Sequence, residues 1–107
     1  MEGLRTNVDP RAAQYEANRA AFLEQLAYLE EQLALARAGG GEKYVQRHHQ
    51  RGKLMARERI ELLLDPDAPF LEIAPLCAWG TDFGLGGSVV SGIGVVSGVE
   101  CVITASE

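Results

Sequence analysis

A chain of 107 residues, 47% of them hydrophobic, is long enough for one domain and too apolar for wholesale disorder. Its formal net charge is −5, yet six of its ten Lys and Arg residues fall between Lys43 and Arg59, opposed there only by Glu58. No apolar run approaches the roughly 18–20 residues of a membrane span, and the start carries acidic Glu2 without the apolar segment of a secretory signal. Cys77 and Cys101 lack CxxC or metal-type spacing, so two buried free thiols in a reducing, cytoplasmic setting are expected, with no bound metal.

Residues 1 to 9 read as a loose tail. Asp9-Pro10 is a helix start, an acceptor at the N-cap followed by a proline whose missing N–H costs nothing there. A helix is predicted from Pro10 to Arg37, with Tyr15, Phe22, Leu26, Leu29 and Leu33 on one face. Gly39-Gly40-Gly41 ends it, because glycine accepts the left-handed geometry of a helix C-terminus. A second short helix is predicted over Glu42–His49. A third follows Gly52, over Ala56–Leu64, with Ile60, Leu63 and Leu64 inward. Asp65-Pro66 stops it, since a residue before proline avoids the helical region, and the chain runs extended through Phe70–Ile73. Ser88–Val96 and Val99–Ala105 are β-prone runs joined by Ser97-Gly98, a hairpin signal. In the second run Val99, Cys101, Ile103 and Ala105 form one apolar face, as a sheet with a covered side requires.

The basic window holds Lys43, Arg47, Arg51, Lys53, Arg57 and Arg59. A cluster of this kind suits phosphates, because arginine offers a planar fork of donors and lysine a mobile point charge. A solvated face, or ion pairs with the acidic remainder, is the alternative reading. Nucleic acid fits poorly with an acidic chain whose window contains Tyr44 as its one aromatic residue. His48 and His49 point about 100° apart on a helix, so they do not converge on one ion and read as surface or interface residues. The glycines of Gly84-Leu-Gly86-Gly87 and of Gly92-Ile-Gly94 lack the strand-then-helix setting of a dinucleotide fingerprint. Gly92 and Gly94 fall inside a strand pattern, which marks a bulge or a close approach of other chain. No serine has a neighbouring base, and no catalytic side chain is expected.

The segment GGGEKYVQRHHQRGKLMARERIELLLDPDAPFLEI, followed by SGIGVVSGVECVI, closely resembles the beginning of the carboxyltransferase (beta) subunit of biotin-dependent acyl-CoA carboxylases, of the methylcrotonoyl/geranoyl/propionyl-CoA type. The acetyl-CoA type of bacteria, with its four-cysteine zinc ribbon, does not fit two cysteines at these positions. The resemblance implies an α/β (α+β) fold in which N-terminal helices lead into the first strands of a crotonase-like β-β-α domain, here incomplete. Residues 1–38 would be a tail and amphipathic helix, and 39–107 the start of the carboxyltransferase domain. The implied reaction moves a carboxyl group from carboxybiotin to the α- or vinylogous γ-carbon of an acyl-CoA. Backbone N–H pairs in later, glycine-rich segments stabilise the developing negative charge in such a domain, so this part alone is expected to be inactive. Biotin would come on a biotin carboxylase/carrier (alpha) subunit, none being bound by this chain itself. Beta subunits would form a homo-oligomer, with no role for nucleic acid or membrane. Arg51, Lys53 and Arg57 are the residues expected near the CoA phosphates, for charge and not for catalysis. A non-catalytic assembly fragment is the competing expectation.

Overall fold

The computed structural model describes residues 3–86 and 88–107. Gly87, part of the glycine run weighed above, and the first two residues of the expected tail lie outside the described residues. The elements are α1 (Ala13–Arg37), α2 (Glu42–Gln50), α3 (Ala56–Leu63), β1 (Leu71–Ile73), β2 (Val89–Val96) and β3 (Val99–Ser106). Two compact units are present, Met1–Glu31 and Gln32–Glu107.

In the first unit Asp9 acts as the sequence predicts, but one turn earlier than the regular helix. Its Oδ1 accepts from the Arg11 N–H at 3.0 Å and its carbonyl from the Ala12 N–H at 3.1 Å. This opening turn leaves α1 to begin at Ala13 instead of Pro10. The predicted face is present but uncovered: Phe22 is 61% exposed, Leu26 39% and Leu29 42%.

In the second unit Gly39, Gly40 and Gly41 all take positive φ, and the chain leaves α1 through them into α2. The sheet is antiparallel throughout, in the order β1-β2-β3. Leu71 pairs with Ile93, which pairs with Val102. Helix α3 packs on β2 and β3, and the core lies between them: Ala56, Ile60, Val90 and Ile103 are buried, with Leu64, Phe70, Val96, Cys101 and Ala105 packed around. The covered face of β3 is therefore Cys101, Ile103 and Ala105, as its alternation predicts. Val99, beside the turn, is 61% exposed.

Two expectations change, and one pair of alternatives is resolved. Leu63 is 51% exposed. The helix ends there, and Leu64, in extended geometry at φ −65 and ψ 148, swings onto the sheet in its place. Neither thiol is buried: both cysteines are free, Cys77 being exposed and Cys101 half-buried. Gly92 and Gly94 mark close approach and not a bulge, since the β2–β3 register runs unbroken. A Cβ on Gly92 would run into the Phe70 ring and lie 2.5 Å from the Leu71 carbonyl oxygen. One on Gly94 would strike the Leu64 side chain.

The hairpin turn is locked from outside the hairpin. Ser97 and Gly98 both have positive φ, 52 and 77, as a two-residue type I′ turn requires. The Asp65 carboxylate accepts from both their N–H groups, at 2.6 and 2.8 Å, while the Asp65 N–H donates to the Val95 carbonyl at 2.9 Å. The same Asp65-Pro66 pair that ends α3 thus fixes the far end of β2.

Candidate functional site

The basic window builds α2, the link after it and the first half of α3. Lys43 and Arg47 stand one turn apart on exposed positions of α2. Tyr44 and His48, also one turn apart, stack with ring centroids 6.1 Å apart and an interplanar angle of 24°. The helix closes through Gly52, whose N–H donates to the His49 carbonyl at 2.8 Å and whose φ is +73. The Lys53 N–H returns to the His48 carbonyl at 3.2 Å. The chain then enters α3.

The two histidines diverge, as their adjacency dictates. His48 stacks on Tyr44, whereas His49 Nε2 lies 2.9 and 2.8 Å from the two carboxylate oxygens of Glu58 on α3. Glu58 Oε2 also accepts from the Met55 N–H at 2.6 Å, capping the start of α3. The His49 hydrogen bond, then that from Met55, hold the Glu58 carboxyl below its ordinary value. A second carboxylate serves the same helix start: Glu107 Oε1 accepts from the Ala56 N–H at 3.2 Å.

The cations have different fates. Arg57 is held by Glu72 of β1 through two parallel bonds, Nη1 to Oε2 and Nη2 to Oε1, each 2.7 Å, with side chains 29% and 16% exposed. Arg59 donates from Nη2 to the Ser106 carbonyl at the end of β3. Among the described residues, Lys43, Arg47, Arg51 and Lys53 make no ion pair, and all four are exposed. Lys53 joins His48 and Arg59 on the wall of a cavity of about 300 Å³, with Leu54, Ser106 and Glu107. Arg57 instead lines a larger, mainly apolar cavity of about 480 Å³ beside Arg37, Tyr44, Met55, Leu85 and Val90. Arg51 borders neither. The three residues expected at a phosphate are thus close in sequence but do not meet at one cavity. His48 and Arg59, which line the same open depression as Lys53, were not among the residues expected at a phosphate. Their membership of the charged window was the available signal.

Residues 47–107 match the family model of the carboxyl transferase domain. The chain belongs to this family. It is similar to the probable biotin-dependent acyl-coenzyme A carboxylase beta2 subunit of Mycobacterium tuberculosis, with 53% identity over 104 residues, covering 97% of this chain and 20% of that protein. Among solved structures, the beta subunit of geranyl-CoA carboxylase from P. aeruginosa superimposes with a TM-score of 0.78 at 32% identity, covering 98% of this chain and 20% of that one. The transcarboxylase 12S hexamer, solved with methylmalonyl-coenzyme A and methylmalonic acid bound, gives 0.68 at 31% identity over 78% of this chain and 18% of that one. The carboxyl transferase chain described here spans about a fifth of the length of these relatives. The expected fold class holds: helices lead into antiparallel strands, as in the crotonase-fold carboxyltransferases it resembles.

Proposed function

We propose that this chain is the N-terminal part of an acyl-CoA carboxylase beta subunit, which transfers a carboxyl group from carboxybiotin to an acyl-CoA. The observation that carries the reading is the 53% identity to a biotin-dependent carboxylase beta subunit across nearly the whole chain. The backbone likeness to the geranyl-CoA carboxylase beta subunit supports it. In this reading biotin arrives covalently on an alpha partner and supplies the carboxyl group, beta subunits associate with one another, and the free thiols suit a cytoplasmic setting. In this reading these residues supply no catalytic group. Their part is to present positive charge to the CoA phosphates, through Arg51 and Lys53, whose charges are exposed and unpaired among the described residues. Arg57 contributes less directly, because two of its donors are already on Glu72.

In the full-length subunit, replacing Arg51, Lys53 and Arg57 together with alanine is expected to raise the KM for acyl-CoA with kcat little changed, the signature of binding lost equally from ground and transition states. An unchanged KM would assign the three residues to packing and solubility. A second reading, assembly without chemistry, rests on the uncovered Phe22, Leu26 and Leu29 face of α1, which suits a neighbouring subunit.

A further inference from the structure

Helix α1 precedes the residues that match the carboxyl transferase family model, and none of its 25 residues is buried among the described residues. Its apolar residues nonetheless keep a strict order. Tyr15, Phe22 and Leu29 recur every seven residues, and Leu26 and Leu33 each follow four residues after Phe22 and Leu29. This is the 3.5-residue repeat of a seam between two helices, narrower than the stripe a helix lays on a sheet. The middle of the seam, Phe22, Leu26 and Leu29, is exposed, whereas Tyr15 and Leu33 at its ends are half-buried. One seam position is charged: Arg19, seven residues before Leu26. Two parallel copies in register would set Arg19 against Arg19 at the seam, and like charges so placed repel. An antiparallel second copy avoids this. With Leu26 opposite Leu29 of the second copy, and Phe22 opposite its Leu33, Arg19 falls opposite its Ala36. A residue that small lets the arginine stem run outward to water. The same register brings Glu16 beside Arg37 of the second copy, and the twofold axis repeats the contact. Glu16 and Arg37 are both exposed and make no ion pair among the described residues.

We propose that α1 pairs antiparallel with α1 of a second copy of this chain, through the Tyr15–Leu33 seam. The pairing rests on the assembly reading of α1 and names the occupant of its uncovered face. It does not depend on carboxyl transfer or on the acyl-CoA. The layers of Phe22, Leu26, Leu29 and Leu33 supply the affinity, since they remove the most apolar surface from water. The Glu16–Arg37 contacts are exposed and individually weak, and their part is to set direction and register.

The test uses the full-length subunit carrying Phe22→p-benzoylphenylalanine, a photoreactive residue of similar shape, in assemblies that mix isotope-labelled with unlabelled copies. Irradiation is expected to join two copies, with mass spectrometry placing the Phe22 site of one against the Leu29–Leu33 stretch of the other. Glu16→Arg and Arg37→Glu are each expected to lower the yield of this cross-link about fivefold, and the double variant to restore it, because the exchange of charges rebuilds the same contact. A double variant that stays low overturns the register, and a link between the two Phe22 sites overturns the antiparallel direction. A link to a biotin-carrying partner overturns the self-pairing and leaves the assembly reading in place. A link within one copy, or none, overturns both. In every case the KM experiment, which concerns other residues, keeps its meaning.

Discussion

Glu58 is the one acidic residue in the basic window, and both of its oxygens are in use. His49 approaches both, and the Met55 N–H adds to one. These bonds favour the charged carboxylate, so its pKa in the folded chain lies below the ordinary 4.5. A depressed carboxyl contributes stability that is present above its unfolded value and disappears as pH falls through the folded one. The stability difference between the parent and Glu58→Gln, read from urea midpoints, is therefore expected to be largest near neutral pH. It should close as pH falls below about 4.5. A difference that persists unchanged in acid would show that the carboxylate charge is not what holds α2 to α3. The window's single negative charge, which looks in sequence like a diluted cluster, is in the structure a fastener between two helices.

At the scale of elements, α3 is tied to the sheet by buried Ala56 and Ile60, by Arg59 on the Ser106 carbonyl of β3, and by the Arg57–Glu72 pair reaching β1. Removing either partner leaves a half-buried charge without its complement, so Arg57→Ala and Glu72→Ala are each expected to cost about 1–3 kcal/mol in chemical denaturation. The double variant should cost less than the sum, because the second loss removes an already orphaned group. Arg57→Lys is not expected to restore the parent, since an ammonium cannot make two parallel bonds. Additive losses would reduce the pair to a surface contact. Element types and ends were largely legible, because Gly39, Gly52 and Pro66 punctuate the chain and Ser97-Gly98 fits only a tight turn. What was not legible needed partners distant in sequence. Arg57 and Glu72 are 15 residues apart with a helix end between them. Nor does the sequence show that His49 of α2 faces Glu58 of α3 across the turn at Gly52. Leu63 was misjudged because helical spacing was extended through Leu64, which the backbone had already released from the helix.

For the whole molecule, the buried set is small: Met55, Ala56, Ile60, Val90 and Ile103 are the buried hydrophobics among the described residues. Meanwhile Leu71, Ile93 and Val102 stand in one cross-strand row with 65%, 39% and 77% of their surface exposed. These faces are open among the described residues, in a chain that spans about a fifth of its relatives. The same holds for the apolar face of α1. In the full-length subunit, deleting residues 1–38 is expected to lower the mass of the oligomer measured by light scattering. An intact assembly would remove α1 from subunit contacts.

The Asp65 clamp has a kinetic consequence. A hairpin with a two-residue turn is ordinarily the most local event in a β-protein, complete within microseconds and indifferent to the rest of the chain. Here the turn amides are satisfied by a carboxylate 32 and 33 residues upstream. Closing that loop carries an entropic cost that a free hairpin never meets. The tip of the hairpin therefore reaches its final hydrogen bonding only after Asp65 has been brought to it, and the most local turn in the sequence becomes a reporter of long-range order.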